Sequence, residues 1–398
     1  MKFVKDILDK QRPMFQKGGR FEKFYYLFEA GETFMFTPDH TTDSKGAQIR
    51  DAVDLKRLMM TVVIAMIPCL IYGMWNVGHQ HFIATGEVAS LGQKLWVGVY
   101  VVLPMLLVSY GAGGLVEVIF GIIRKHPINE GFLVTGMLIP LVLPPTTPLW
   151  QIALGTIFAV VIAKEAFGGT GMNVLNIAMT ARAFLYFAYP AQMSGENVWT
   201  YLGDATPVEG YSGATSLAVA YNASVEGTHT VVAAMGDSWY ANLYDFKNLF
   251  LGAIPGSVGE TSVLMALIGA AILIVTEVGS WKIIFSVFGG ALFMGYLFNL
   301  FGLNAFMEMP PHYHLVIGGL AFGAVFMATD PVTAAHTERG KWIYGFLIGV
   351  LTVLIRVVNP AYPEGIMLAV LLMNVFAPLI DFYVVQANKK RRLKRATI

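Results

Sequence analysis

Apolar segments recur along the chain from Leu58 onward, and they constrain the fold more than any other feature of the sequence. They lie near residues 58–77, 95–122, 131–144, 148–166, 173–190, 260–278, 282–303, 313–328, 341–358 and 365–385. Of the 398 residues only 13% are charged, against about 25% in an average soluble domain. Since such a chain cannot cover its surface with polar groups, we predict an all-α polytopic membrane protein with about ten transmembrane helices.

Two of these segments, 131–144 and 313–328, are shorter than the roughly 20 residues that cross a bilayer, and both are rich in Gly and Pro. Broken helices are tolerated at membrane depth only where protein or a polar cavity satisfies the freed backbone groups. We therefore expect a functional site beside these two segments. Tilted or kinked full spans are the alternative interpretation.

The order of the segments is repeated in the two halves of the chain. Trp150 and Trp342 each begin a helix that follows a short segment ending in Pro and precedes a break and a further helix. If each half holds five spans, an odd number, the halves are inverted repeats with a site at their interface. Chance similarity between apolar segments is the alternative. The predicted units are a cytoplasmic N-terminal extension (1–57), a first repeat (58–190), an outward loop (191–259), a second repeat (260–385) and a basic cytoplasmic tail (386–398).

The basic residues are distributed unevenly. Residues 1–57 carry 11 of the 27 Lys and Arg, and residues 389–395 read KKRRLKR, whereas neither type occurs between Arg182 and Lys247. Because cytoplasmic loops carry an excess of Lys and Arg, we predict that both termini are cytoplasmic and that the 191–259 loop faces outward. Within the extension, the aromatic stretch 21–36 predicts an amphipathic helix on the membrane surface or against a partner. A solvated extension with one short helix is the alternative.

Charges within the apolar segments cost about 2.5–3.5 kcal/mol each, so each of them calls for a partner or a pathway. These residues are Glu117, Glu130, Lys164, Glu165, Arg182, Glu277, Asp330, Arg356 and Asp381. We expect Lys164 and Glu165 to face water at a segment end, and Arg356 to be structural and to snorkel. The single cysteine, Cys69, excludes a disulfide framework and a cysteine-ligated cluster held by this chain alone, and no metal site is predicted.

Three patterns suggest specific sites. Glu117 shares a helix face with Gly113 and Gly114, where the missing side chains let a flat molecule, or simply a second helix, approach the backbone. Asp330 follows Phe322 and Phe326, an arrangement that suits a cation path behind an aromatic constriction but is also ordinary apolar packing.

The third pattern lies in the outward loop, where residues 209–215 read EGYSGAT. Ser212 and Gly213 are small neighbours of the Thr215 hydroxyl. They leave room for a bulky attached group and offer backbone N–H groups to a phosphate.

Ordered segments along nearly the whole chain then carry a resemblance to a known family. They are DAVDLKRLMM, RKHPINEGF, PLWQIALG, AKEAFGGTG, RAFLYFAYPAQ, EGYSGAT, FMATDPV and IRVVNPAYPEGIMLA. The chain resembles the B-subunit family of sodium-translocating NADH:quinone reductases, to which the D-subunit of the Rnf ferredoxin:NAD oxidoreductases is related. The long N-terminal extension and the LIRVVNPAYPEG stretch favour the sodium-pump family over the Rnf one.

The resemblance implies two flavins. FMN is expected on Thr215 through a phosphoester made by a separate flavin transferase, although Glu209 stands where the family usually has Asp. Riboflavin is expected to bind non-covalently at Thr135, Asn173 and Asn176, since amide side chains suit the donor and acceptor edge of its ring. By position, quinone is expected near Gly113, Gly114 and Glu117. Sodium-linked acids map onto Glu29, Glu117, Asp330 and Asp381, and the constriction onto Phe322 and Phe326.

The resemblance also implies a role. Partner subunits in the bacterial inner membrane would oxidise NADH and hold iron–sulfur centres, and this chain would pass electrons through its flavins to quinone while Na⁺ is exported. Membrane lipid is expected as a partner and nucleic acid is not. Two alternatives stay open at this point: an Rnf-type membrane subunit, and a non-redox channel of inverted repeats.

Overall fold

The computed structural model describes residues 2–16, 18–36, 55–125, 131–226, 230–240, 242–359, 362 and 364–396. Within these ranges the chain is helical and contains no strand, which confirms the all-α prediction. Glu130, one of the charged candidates, lies outside the described residues.

The N-terminal extension begins with two helices, α1 (Lys2–Phe15) and α2 (Tyr25–Met35). They pack on each other through the stacked rings of Phe15 and Phe28, whose centroids are 4.6 Å apart. The Tyr26 hydroxyl donates a 2.7 Å hydrogen bond to the carbonyl of Lys125, which ties the pair to the membrane core. The predicted helix within residues 21–36 is therefore confirmed, whereas its place on a membrane surface stays a prediction.

The first half of the core contains α3 (Leu55–Thr85), α4 (Leu91–Arg124), α5 (Gly131–Leu141), α6 (Leu149–Ala159) and α7 (Ile177–Ala188). A capping box between Ser90 and Gln93 satisfies the first backbone groups of α4. From α6 the chain continues through a π-helical turn, Val160–Lys164, and a 3₁₀ turn, Glu165–Phe167. Gly168 then ends the helix with φ +119°, a conformation that side chains disfavour, and this break precedes α7.

The described part of the segment predicted as an outward loop, together with Pro190, contains four short helices. They are α8 (Pro190–Met193), α9 (Ser216–Glu226), α10 (Val231–Gly236) and α11 (Phe246–Leu251). Leu217, Ala220, Met235 and Tyr244 are buried in the main hydrophobic core of the chain. These scattered apolar positions are enough to pack the short helices of the segment onto the core, and its outward orientation stays a prediction.

The second half contains α12 (Val263–Val275), α13 (Trp281–Phe301), α14 (Tyr313–Val316), α15 (Leu320–Phe322), α16 (Glu338–Val358) and α17 (Ile366–Ala396). Gly318, at φ +64°, separates α14 from α15, and α15 continues into a π-helical turn, Gly323–Met327. The prediction that segment 313–328 is broken is therefore confirmed. Segment 131–144 is also short, because α5 has 11 residues and ends before Pro144.

Six helices among the described residues are long and apolar enough to cross a membrane: α3, α4, α6 with its two added turns, α13, α16 and α17. Three shorter apolar helices, α5, α7 and α12, accompany them. Large side chains such as Leu107, Phe285 and Phe382 are exposed on the long helices, as expected of a surface in contact with lipid. The chain is thus a polytopic membrane protein.

Several helix contacts of the first half recur in the second. α4 packs on α6 and α6 on α7, as α13 packs on α16 and α16 on α17. α3 contacts α5 as α12 contacts α15, and α3 also packs on α12 across the two halves. These shared contacts agree with the repeated order, and both the repeat and the inversion of one half relative to the other stay predictions.

Glycines allow close contact between α13 and α16. A Cβ on Gly290 would overlap the carbonyl oxygen of Phe346, and a Cβ on Gly349 would overlap that of Val287. Beside Gly290, a Cβ on Gly289 would meet nothing within 4 Å. Small residues that bring backbones together are typical of helix association in membranes.

Candidate functional site

Thr215 lies on the wall of a cavity of about 290 Å³, which we call the outer cavity. Its Oγ1 accepts a 3.3 Å hydrogen bond from the N–H of Ala218, and its carbonyl accepts one of 3.0 Å from Val219. Thr215 therefore caps the N-terminus of α9. Unpaired N–H groups and the helix dipole favour an anion at this position, so a phosphoester on the hydroxyl fits the local electrostatics.

The loop before Thr215 passes close to Glu196. A Cβ on Gly213 would overlap the carbonyl oxygen of Glu196, and the Ser212 hydroxyl donates to the Glu196 carboxylate at 3.4 Å. Glu196 also lines the outer cavity, whereas Glu209 is exposed in a turn. The acid beside the threonine loop is thus Glu196, which the sequence pattern did not indicate. Burial raises the pKa of Tyr211 in the same loop.

Three charged side chains form another part of the outer cavity wall, and we call them the charged cluster: Arg182, Glu260 and Glu364. Nη1 of Arg182 lies 2.9 Å from both carboxylate oxygens of Glu260 and 3.0 Å from Oε1 of Glu364. Exposed fractions are 4% for the Arg182 and Glu260 side chains and 14% for Glu364. Such burial is tolerated because each charge has a well-placed opposite partner.

Arg356 lies next to the charged cluster, but its guanidinium binds backbone carbonyl oxygens. Its guanidinium donates to the carbonyl oxygens of Glu364 at 2.9 Å, His314 at 2.8 Å and Ile317 at 3.0 Å. Its structural role is confirmed. The expectation that it snorkels is wrong, because its guanidinium is bound by these backbone carbonyls and Arg356 is 1% exposed.

A second cavity of about 80 Å³ lies between the two halves, and we call it the inner cavity. Thr135, Asn173 and Asn176 line it together, as the resemblance implied for riboflavin. Thr170 also lines it, and its buried hydroxyl has no hydrogen-bond partner among the described residues. These polar groups suit a flavin edge. The volume is below the roughly 300–1,000 Å³ of typical ligand pockets, so side chains must move to admit a ring system.

Asn176 connects the inner cavity to Asp330. Its Oδ1 accepts a 3.1 Å hydrogen bond from the N–H of Met179, which caps α7, and its Nδ2 donates to Asp330 at 3.4 Å. Asp330 also accepts from the N–H of Val332 at 3.0 Å and from the hydroxyl of Thr333 at 3.1 Å. Asn176 and Asp330 are therefore joined across the two halves of the chain.

The two phenylalanines of the predicted constriction are in contact. The ring centroids of Phe322 and Phe326 lie 4.8 Å apart, and both side chains are buried. Phe326 belongs to the π-helical turn and lines the inner cavity with Asp330. A gate formed by these rings stays a prediction.

Glu117 forms a buried ion pair with Lys164, which also lines the inner cavity. The neighbouring Glu165 is 1% exposed and accepts a 3.1 Å hydrogen bond from Arg124. The expectation that Lys164 and Glu165 face water is wrong. Helix α4 supplies an opposite charge to each of them, so both remain inside the protein.

Gly113 and Gly114, the neighbours of Glu117, differ in their surroundings. A Cβ on Gly113 would overlap the ring of Phe132 and lie 3.0 Å from a methyl carbon of Thr156. A Cβ on Gly114 would meet nothing within 4 Å. The space at Gly113 is filled by this chain's own packing, and the space at Gly114 is open. A quinone near them stays a prediction.

Asp381 and Glu29 lie apart from these groups. Asp381 accepts hydrogen bonds from the backbone N–H groups of His336 at 2.7 Å and Thr337 at 3.0 Å, so it holds the start of α16. Glu29 is half-buried on α2 in the N-terminal extension. Neither residue is among those that line the two cavities in the described part of the chain.

Comparison with known proteins agrees with the resemblance. The profile of the NQR2, RnfD, RnfE family matches residues 42–390. A protein of Chromohalobacter salexigens, named as the B-subunit of a Na(+)-translocating NADH-quinone reductase, is 49% identical over 98% of this chain and 96% of its own. Proteins of the same name from Stutzerimonas stutzeri and Azotobacter vinelandii are 48% identical, over 98% of this chain and 99% of theirs. The chain therefore belongs to the NQR2, RnfD and RnfE family.

Proposed function

We propose that the chain is the B-subunit of a sodium-translocating NADH:quinone reductase and carries FMN on Thr215. The position of the Thr215 hydroxyl carries this proposal. It caps α9 at the wall of the outer cavity, where a helix N-terminus stabilises the charge of a phosphoester. Relatives that cover almost the whole chain and bear this name support it.

The bound flavins and quinone would supply the redox chemistry, with electrons passing from FMN through riboflavin to quinone and with Na⁺ export coupled to their flow. This chain's residues would hold and separate the two flavins. Asn176, which caps α7, lines the inner cavity, and Arg182 on α7 lines the outer one. Six helical residues advance by about 9 Å along the helix axis, which separates Asn176 from Arg182. A flavin at the outer cavity would therefore be close enough to pass electrons to one at the inner cavity.

The inner cavity would couple this path to sodium. Asp330 offers a carboxylate there beside Phe326, and Lys164 brings a cation from its pair with Glu117. Moving one Na⁺ against 100 mV costs about 2.3 kcal/mol. One electron that falls through about 59 mV releases about 1.4 kcal/mol, so a drop of a few hundred millivolts is sufficient. Asp381 and Glu29 would belong to the same sodium path at its ends.

The sequence also supports a location in the cell and a set of partners. The basic extension and tail support a bacterial inner-membrane protein with both termini in the cytoplasm and the outer cavity on the opposite side. Because a single cysteine holds no iron–sulfur centre, partner subunits would bring electrons from NADH, and a flavin transferase would modify Thr215. Quinone would bind at the open face of Gly114.

Two alternatives are weaker. An Rnf-type protein shares the family profile, but the relatives at 48–49% identity named above belong to the sodium pump. A channel without redox groups differs from what the names of these relatives describe.

The direct test is the fluorescence of the denatured polypeptide. The chain is produced with its flavin transferase and examined under ultraviolet light after denaturing electrophoresis. We expect a fluorescent band from the wild type and from Ser212→Ala, and none from Thr215→Ala. A dark wild-type band would leave the channel as the better interpretation. For the Rnf alternative, quinone reduction by NADH in the assembled complex is measured with and without Na⁺, and independence of Na⁺ counts against the pump.

A further inference from the structure

The charged cluster is more than a support for the outer cavity, because its charges reach the cavity itself. Glu364 is its most exposed member at 14%, and both of its acids line the cavity with Thr215. A Cβ on Gly319 would lie 2.7 Å from Oε1 of Glu364 and 2.9 Å from Oε1 of Glu260. No side chain at Gly319 therefore separates the carboxylates from the cavity.

Both acids of the cluster line the cavity. Two carboxylates and one guanidinium of the cluster line the wall, and the Arg356 guanidinium, bound to backbone carbonyls, lies behind them. All three side chains of the cluster are largely buried, so water screens them weakly. Their positions are fixed by the bonds of Arg182 to both acids.

A carboxylate in the cavity wall, such as that of Glu364, opposes the arrival of more negative charge. Reduction of a flavin adds electrons to its ring, and a nearby carboxylate makes that addition less favourable. A group held in this cavity is thereby made a stronger donor toward the inner cavity, and donation in that direction is what the proposed electron path needs.

We propose that Arg182, Glu260 and Glu364 set the midpoint potential of the flavin bound at Thr215, with Glu364 as the main group that lowers it. This inference rests on the proposed function. The three residues act as positioning and electrostatic groups. Electrons enter from the NADH-oxidising partner and leave toward the inner flavin and quinone, so the cluster itself is neither oxidised nor reduced.

A potentiometric titration of the purified complex tests this. The signal of the Thr215-bound flavin is taken as the difference between the wild-type and Thr215→Ala complexes. Glu364→Gln keeps the shape of the side chain and removes its charge. At a fixed applied potential we expect the ratio of reduced to oxidised flavin to rise at least tenfold, which is about 30 mV for a two-electron couple.

Two further variants distinguish an electrostatic role from a structural one. Glu209→Gln removes an exposed acid of the same loop outside the cavity wall, and we expect a change in that ratio of less than twofold. Arg182→Gln removes the positive charge, and we expect the ratio to change in the opposite direction to Glu364→Gln.

The outcomes separate the two proposals. A fluorescent Glu364→Gln band with an unchanged potential overturns the inference and leaves the proposed function intact. An equal shift of the potential in Glu209→Gln also overturns the inference. Loss of the flavin from Glu364→Gln overturns it too, because the cluster would then serve flavin attachment. A dark wild-type band overturns the proposed function and the inference with it.

Discussion

Adjacent glycines at the predicted quinone position should separate packing from ligand binding. In Gly113→Ala the new methyl group meets the Phe132 ring and Thr156. Overpacking of this kind costs about 1–3 kcal/mol. Alanine returns about 1 kcal/mol through its higher helix propensity. We expect a net loss of about 0–2 kcal/mol in stability, which leaves Gly113→Ala about 1–3 kcal/mol less stable than Gly114→Ala. Gly114→Ala meets no atom within 4 Å and should gain the propensity term alone.

The assay uses the complete complex in detergent. Apparent unfolding midpoints are compared at one heating rate, because membrane complexes unfold irreversibly and the midpoint depends on that rate. Quinone reduction is measured in parallel. If quinone approaches the open backbone at Gly114, a methyl group that costs about 1.4 kcal/mol of binding raises KM about tenfold. Gly114→Ala should therefore raise the KM for quinone without lowering the midpoint.

Two results would refute this reasoning. If Gly113→Ala unfolds at the temperature of Gly114→Ala, the Phe132 ring does not fill that space. If Gly114→Ala leaves the KM for quinone unchanged, quinone binds elsewhere.

Three further outcomes are expected. Gly290→Ala should destabilise the protein by about 2 kcal/mol, since its methyl group meets backbone, while the neighbouring Gly289→Ala is neutral or slightly stabilising in the same thermal assay. Asp330→Ala and Asp381→Ala should weaken the Na⁺ dependence of quinone reduction and keep the fluorescent band; an unchanged Na⁺ response in both removes them from the path. Lys164→Met removes the cation of a buried ion pair and should cost about 3–5 kcal/mol, with wild-type stability as the contrary result.

Local patterns were sufficient to predict the elements that carry the site. The Gly and Pro content of segments 131–144 and 313–328 predicted the short α5 and the broken α14–α15 region. Residues of α5 border the inner cavity, as does Phe326 in the π-helical turn after α15. The repeat predicted that the halves would meet at a site, and Asn176 and Asp330 do meet there. Such features depend on residues close in sequence, which is why they are readable without the fold.

The ion-pair partners of the buried charges could not be predicted in this way. Arg182 is 78 residues from Glu260 and 182 residues from Glu364, so no periodicity connects them. A buried arginine in an apolar segment needs an oppositely charged partner, but the sequence alone does not show which of several acidic residues is that partner. Lys164 was misplaced for the same reason, because its partner lies on another helix.

The length of α7 has a consequence of its own. One added or deleted residue between Asn176 and Arg182 would turn the second side chain by about 100° relative to the first. Arg182 would then point away from its acids while Asn176 still faced Asp330. Substitution at an outward position such as Phe187, which is 68% exposed, causes no such rotation. This helix should therefore accept changes of residue type on its lipid side and reject any insertion or deletion.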